Sequence, residues 1–303
     1  MFRFIAFAEL TMGMALAGSS VVAGKIITTR MPVFIASELR FLIASLIFVP
    51  ILVRGHSGQG VHRITPRQFG FLFLQSLCGN FAFSVCLLYG LRLTGAAEAG
   101  IITGTAPMVL ALLSVLILRE RMTVPVCAAV ILSTAGLVLV NAGTGTSPAA
   151  QPAASLAGNT LVFAAVTGEA LFSVFCKLEG STLRPLTTAA WVSVIGAALF
   201  LPPAIIESLN FDFGSMNALD WILIIYSGLF VTVAAFIFWF RGISKVNASQ
   251  AAVFTGAMPV TALLMSSLIL GEKPDVGDIG GIICVLIAIV ITAAGMYRTR
   301  FRS

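Results

Sequence analysis

Three ionisable side chains interrupt long apolar stretches of this chain, where a charge is costly. Glu9 and Glu169 each stand within an apolar run, and Arg40 lies about two turns into another. Inside such a run a carboxylate can bind a coupling proton or a substrate ammonium, or staple two helices as a neutral, hydrogen-bonded group. For Arg40 a structural or gating ion pair is the favoured role. Glu98 is its candidate partner, because Glu38, two residues away, faces nearly the opposite side of a helix.

Neutral polar and aromatic side chains extend this set of candidates. Phe172 and Ser173 follow Glu169 by three and four residues and therefore share its helical face. Asn80, with Ser84 one turn further on, lies near the middle of its own apolar run. A buried amide can bind a ligand, although in a helical bundle it more often bridges helices.

The aromatic residues are numerous, and their types alone point to few roles. Tyr226 and Phe172 are candidates to line a cavity. Trp221 and Trp239 fall near opposite ends of one apolar run, a placement typical of an interfacial aromatic belt.

Two prolines interrupt apolar runs at similar places in the two halves of the chain. Pro107 and Pro259 each remove a backbone hydrogen bond and free the carbonyl four residues earlier, at Thr103 and Thr255. A freed carbonyl at membrane depth needs protein, water or ligand as its partner. The sequence therefore leaves open a ligand site or a kink satisfied by the threonine hydroxyls.

The elements that position these residues are membrane helices. Of 303 residues, 58% are hydrophobic and 10% charged, and the mean hydropathy is +1.04. This number of charged residues is too small to cover the surface of a soluble protein of this length. We therefore predict an integral membrane protein. The five cysteines fall in apolar segments without metal or disulfide spacing, and we expect no cofactor and no metal. The sequence has neither a phosphate-binding Gly-x-x-x-x-Gly-Lys-Ser/Thr loop nor a zinc-type His-Glu-x-x-His motif.

Apolar runs between polar interruptions predict ten helices, numbered 1 to 10. They lie near residues 4–24, 33–53, 68–90, 96–118, 124–141, 157–177, 185–206, 219–240, 248–270 and 276–297. Residues 144–155 have the Gly, Ser, Pro and Ala content of a linker. We therefore divide the chain into a first five-helix repeat at 1–143, a linker at 144–155 and a second repeat at 156–303.

A shift of 152 residues aligns the two halves without gaps. Thr103-Gly104 then meets Thr255-Gly256, and Pro107 meets Pro259. Because five is an odd number of crossings, the second repeat enters the membrane from the opposite side.

Charges test this inversion. With the amino terminus inside, most Lys and Arg residues of the loops fall on the cytoplasmic side in both halves. We therefore predict both termini in the cytoplasm and interpret the +6 net charge as a sign of topology rather than of nucleic-acid binding. Inverted repeats are typical of transporters that work by alternating access.

The repeated motif around the two prolines resembles that of a known family, the ten-helix EamA-type transporters of the drug/metabolite superfamily. Each copy has Thr-Gly, then Pro, then an apolar run that ends at an acidic residue flanked by a basic one, at Glu120 and Glu272. We expect these two glutamates to pair with the adjacent Arg or Lys. The resemblance implies a substrate cavity between the halves, lined by helices 1, 3, 4, 6, 8 and 9, with helices 5 and 10 at the periphery.

The sequence and the resemblance together predict a secondary transporter in the bacterial inner membrane. The resemblance implies export of amino acids and related metabolites, aromatic ones included. We expect the protein to function as a monomer. Efflux of drugs or other apolar metabolites is the alternative, and a membrane sensor or intramembrane enzyme is an alternative of another class. The candidate substrate-binding residues are Asn80, Ser84, Thr103, Pro107, Glu169, Phe172, Ser173, Tyr226, Thr255 and Pro259, and the candidate coupling or gating residues are Glu9, Arg40 and Glu98.

Overall fold

Apolar helices make up the body of the molecule. A computed structural model of the protein describes residues 2–55, 64–94, 96–142, 152–179, 183–271 and 276–300, and this described part contains no strand. Most of the predicted linker, residues 144–151, lies outside it, as does Glu272.

Ten apolar segments follow one another in the described part of the chain, numbered α1 to α10 like the predicted helices. They are α1 Phe2–Thr28, α2 Val33–Gly55, α3 Pro66–Leu93, α4 Ala96–Gly104 with Ala106–Leu118, α5 Val124–Ala142, α6 Pro152–Glu179, α7 Pro185–Ser208, α8 Ala218–Ile243, α9 Ala248–Ile269 and α10 Val276–Arg300. Eight are singly long and apolar enough to cross a membrane, α4 qualifies as a pair bent by 40°, and α5 is a shorter apolar helix. The prediction of an all-helical membrane protein is confirmed.

The two halves of the bundle pack in a symmetric pattern. The first helix of each half contacts the third and fourth of the other, so that α1 packs on α8 and α9 while α6 packs on α3 and α4. The pairs α2–α7, α4–α9 and α5–α10 also join equivalent helices. A pseudo-twofold axis therefore relates the repeats, and the odd number of segments in each makes the second one inverted.

Small residues allow the peripheral pair α5–α10 to approach closely. A Cβ atom at Gly281 would stand 2.4 Å from the carbonyl oxygen of Gly136, and one at Gly136 would stand 2.7 Å from that of Gly281. Small residues at such contacts are the usual way membrane helices pack backbone to backbone.

Three helices contain wide turns that the sequence did not predict. π-Helical segments occupy Ser76–Ala82 in α3, Ser227–Ala234 in α8 and Ser266–Leu270 at the end of α9. The 152-residue shift carries residues 76–82 onto 228–234, so the first two are equivalent in the repeated unit, whereas the third falls on regular α-helix in α4. Wide turns of this kind occur frequently at functional sites, where they change the direction in which side chains point.

Candidate functional site

A cavity of about 210 Å³ lies between the two repeats. Its wall comes from α1, α3, α4, α6, α8 and α9, as expected, and also from α2 through Arg40. The lining residues are Gly13, Met14, Ala17, Ser20, Arg40, Gly79, Asn80, Phe83, Ser84, Ala106, Leu110, Glu169, Ala170, Phe172, Ser173, Val231, Thr232, Ala235, Phe236, Trp239, Thr255 and Met258. Most of these are apolar or aromatic, as in ligand sites generally, with a few polar groups among them.

Much of the wall consists of positions that the repeat relates. Subtracting 152 from a lining residue of the second half often gives a lining residue of the first. The pairs are Ala17 with Glu169, Ser20 with Phe172, Gly79 with Val231, Asn80 with Thr232, Phe83 with Ala235, Ser84 with Phe236, and Ala106 with Met258. The cavity therefore surrounds the pseudo-twofold axis, the place where a site can be exposed to either side in turn.

The charged groups of the wall do not follow this symmetry. Glu169 faces the cavity where the other half has Ala17, and Arg40 faces it where the other half has Val192. The Arg40 guanidinium lies 4.8 Å from the ring centroid of its neighbour Phe41, and its buried Nε has no hydrogen-bond partner. One basic and one acidic side chain therefore stand in an otherwise uncharged wall, as far as the described residues go.

The expected partnership between Arg40 and Glu98 is not present. Glu98, at the start of α4, accepts a hydrogen bond from the hydroxyl of Thr94 at 2.6 Å. Among the described residues no carboxylate is paired with Arg40. Glu98 is hydrogen-bonded within the connection between α3 and α4, and the guanidinium of Arg40 lines the cavity instead.

Asn80 and Phe172 line the cavity, and each contacts further side chains of the bundle. The amide of Asn80 contacts the Ser76 hydroxyl at 3.4 Å, and that hydroxyl donates to the carbonyl of Val192 in α7 at 3.1 Å. The ring of Phe172 packs against Phe236 and Phe240, with centroids 5.9 and 5.5 Å apart. Ser84 and Ser173, also predicted, complete this side of the wall.

Of the four residues predicted at the two kinks, only Thr255 lines the cavity. Thr103, Pro107 and Pro259 do not line it, whereas Ala106 and Met258, next to the prolines, do. Each threonine hydroxyl donates to a carbonyl three residues earlier, that of Thr103 at 3.0 Å and that of Thr255 at 2.7 Å. These hydroxyls therefore do not bond to the carbonyls of Thr103 and Thr255. The carbonyl of Thr255 instead accepts the backbone N–H of Met258 at 3.1 Å.

The aromatic expectations need two corrections. Tyr226 lies outside the cavity wall because its hydroxyl bonds to that of Ser19 at 2.7 Å and its ring stacks on Phe230. Trp239 is not at an interface: it is 3% exposed and lines the cavity. Its position four residues after Ala235 and seven after Thr232 puts all three on one helical face, which is the signal that reveals it.

At one end of the bundle, Glu9 joins α1 to the end of α8. Its carboxylate pairs with Arg241 at 2.9 Å and with Lys245. Glu9 is 6% exposed and does not line the cavity. The repeat alignment did not indicate this pairing, because Leu161 stands at the equivalent position of the other half.

Two further contacts hold the loop between α8 and α9 at the same end. Glu120 follows α4 and accepts hydrogen bonds from the backbone of Ala248 at 2.8 Å and of Ser249 at 2.9 Å, so it caps the start of α9 rather than pairing with its neighbouring arginines. The ammonium of Lys177 in α6 donates to the carbonyl of Val246. We call these contacts of Glu9, Glu120 and Lys177 with residues 241–249 the clasp.

Apolar helices in two inverted repeats, with a cavity on the axis between them, define a membrane transporter. The EamA-like transporter family model matches the chain twice, over residues 7–142 and 156–294. The chain therefore belongs to this family of the drug/metabolite transporter superfamily.

Several proteins are similar over most of their length. An "Uncharacterized transporter YetK" of Bacillus subtilis is 39% identical over 95% of this chain and 86% of its own. An "Uncharacterized transporter" of Archaeoglobus fulgidus is 28% identical over 86% of this chain and 88% of its own. One crystal structure superposes with a TM-score of 0.81 at 18% identity, covering 99% of this chain and 100% of that one, which shows the same fold. The bacterial relatives are consistent with a location in the inner membrane.

Proposed function

We propose that the protein exports amino acids, with apolar and aromatic side chains accepted, through this cavity. The observation that carries the proposal is the pair of opposite charges, Arg40 and Glu169, in an apolar wall. An amino acid is a zwitterion, so its carboxylate suits the guanidinium and its ammonium suits the carboxylate. Its side chain then lies among Phe83, Phe172 and Phe236.

The asymmetry of the charges supports one orientation for the substrate. Glu169 and Arg40 come from different repeats and have Ala17 and Val192 as counterparts. A zwitterion bound between them has its two charged groups fixed at distinct places. A phosphorylated sugar would need several basic groups, and among the described wall residues Arg40 is the single cation.

Movement of substrate follows from alternating access. The clasp holds α1, α4 and α6 against the α8–α9 loop, and we infer that it closes this end of the bundle during part of the cycle. Release of the clasp and closure of the opposite end would expose the same cavity to the other side. With the termini cytoplasmic, the clasp lies at the cytoplasmic face, and a single chain suffices for the cycle.

A second candidate function is efflux of uncharged apolar metabolites or drugs. The wall favours it in one respect, because most lining residues are apolar or aromatic and these would bind such a molecule without using Arg40 or Glu169. The two candidates therefore differ in whether the charged pair is needed.

A transport assay with purified protein in liposomes tests the proposal. We expect uptake of labelled amino acids with apolar or aromatic side chains, and no uptake of sugar phosphates. Transport of sugar phosphates or of uncharged solutes, without any amino acid, would contradict amino-acid export.

A further inference from the structure

Trp239 lines the cavity, and its buried indole N–H has no hydrogen-bond acceptor among the described residues. Among the described residues, the buried polar side-chain atoms that have no partner include two from the cavity wall, Arg40 Nε and Trp239 Nε1. An indole nitrogen can only donate, and burial deprives it of water. An N–H group left in that state is destabilising until an acceptor arrives.

The fold itself does not require an indole at this position. The repeat places Leu87 where the second half has Trp239, and Leu87 does not line the cavity. The backbone of Trp239 packs closely on Gly13 of α1. A Cβ atom added at Gly13 would stand 3.0 Å from the backbone nitrogen of Trp239. This contact fixes the backbone of α8 against α1 at Trp239, while the indole N–H has no polar partner among the described residues.

Arg40 and Trp239 lie at different levels of the cavity. The carbonyl oxygen of Arg40 is 3.3 Å from the Cβ position of Gly228, so Arg40 is level with Gly228. Trp239 is eleven residues further along α8 (239 minus 228), toward the clasp end of this helix. Glu169 lies between these levels, one turn before Phe172, whose ring packs on Phe236 and Phe240.

We propose that Trp239 is a specificity-determining residue that donates a hydrogen bond to an oxygen at the side-chain end of the substrate. The inference rests on the proposed function: with the two charges of the amino acid at Arg40 and Glu169, its side chain extends past Phe172 toward Trp239. The substrate class is then an amino acid with an apolar side chain that ends in an acceptor such as an ether, hydroxyl or carbonyl oxygen.

Competition between matched amino acids tests this inference in liposomes. O-methylhomoserine and norleucine differ by an ether oxygen in place of a methylene, and tyrosine and phenylalanine differ by one hydroxyl. We expect the unmodified protein to favour the oxygen-bearing member by about two- to tenfold, the value of one hydrogen bond. In Trp239→Phe the preference should fall to about one, because the oxygen-bearing member no longer gains this hydrogen bond. Trp221→Phe, which changes an exposed ring on the same helix, is the control and should keep the preference.

A second test measures ligand binding in a variant that retains Trp239, so that the inference can be tested even if Trp239→Phe does not fold. Trp191→Phe combined with Trp221→Phe leaves Trp239 as the single tryptophan of the three. We expect O-methylhomoserine to shift its fluorescence and norleucine to bind without that shift.

Three outcomes are distinguishable. Equal preference in the unmodified protein and in Trp239→Phe, or identical spectra with both ligands, would overturn the role of Trp239 and leave amino-acid export standing. Failure of every amino acid to be transported or bound would overturn the proposed function, and this inference with it.

Discussion

At the scale of single residues, the isolated carboxylate of Glu169 is the group on which the proposed zwitterion site depends most. Glu169→Gln keeps the size of the side chain and removes its charge. Because a hydrogen bond to a charged group stabilises a complex by about 1.5–3 kcal/mol, we expect amino-acid transport at low substrate concentration to fall about ten- to hundredfold.

Asp212→Asn is the control for this substitution, because Asp212 is exposed in the loop between α7 and α8. Alanine at the equivalent position of the first half, Ala17, indicates that the helix tolerates loss of the carboxylate, so Glu169→Ala should also fold. Full transport by Glu169→Gln, measured at substrate concentrations below saturation, would contradict a role in binding the ammonium.

Residue types predicted which side chains line the cavity better than they predicted which side chains pair with one another. Asn80, Ser84, Glu169, Phe172, Ser173 and Thr255 all line it, as periodicity and the resemblance led us to expect. The predicted pair of Arg40 with Glu98 was wrong because α2 packs mainly on α7 and α8 rather than on α4. Which helices become neighbours is set by packing across the whole bundle, and no local sequence pattern marks it.

At the scale of elements, the contact of Glu120 with the start of α9 is the part of the clasp that joins the fourth helices of the two repeats. Loss of a side chain that caps a helix costs about 0.5–2 kcal/mol, and here the same loss separates α4 from α9. We therefore expect Glu120→Ala to open the clasp end more often. Ser173→Cys, in a background without the native cysteines, places a thiol in the cavity wall for the measurement.

A membrane-impermeant maleimide applied to the clasp side should label this thiol about two- to thirtyfold faster in Glu120→Ala. Arg121→Gln changes the next, exposed residue and should leave the rate unchanged. If Glu120→Ala and Arg121→Gln label at the same rate, Glu120 does not hold this end closed.

The elements themselves were the most predictable part of the molecule. Ten apolar runs became ten helical segments, since membrane-spanning chain must satisfy its backbone hydrogen bonds internally. The bend of α4 lies between Gly104 and Ala106, next to the proline that predicted it. The cap of α9 by Glu120 was missed because the partner is 128 residues away and no local pattern marks it.

At the scale of the whole molecule, the helices follow the symmetry of the two repeats, whereas the groups proposed to bind substrate do not. The helices, the wide turns of α3 and α8 and seven pairs of cavity positions obey the 152-residue repeat, and this gives the bundle two equivalent ways to pack. The groups proposed to bind substrate, Arg40, Glu169 and Trp239, have apolar counterparts, and for this reason we expect the substrate to bind in one orientation. The cytoplasmic placement of both termini stays a prediction from the distribution of Lys and Arg.

Counterflow of a labelled amino acid in liposomes tests alternating access through this cavity most directly. A carrier with one alternating site returns across the membrane faster when it is loaded. Unlabelled amino acid trapped inside should therefore accelerate entry of the labelled one and drive it transiently above equilibrium, and Glu169→Gln should abolish both effects. Labelled entry that is indifferent to the internal amino acid and rises linearly with external concentration would contradict the account.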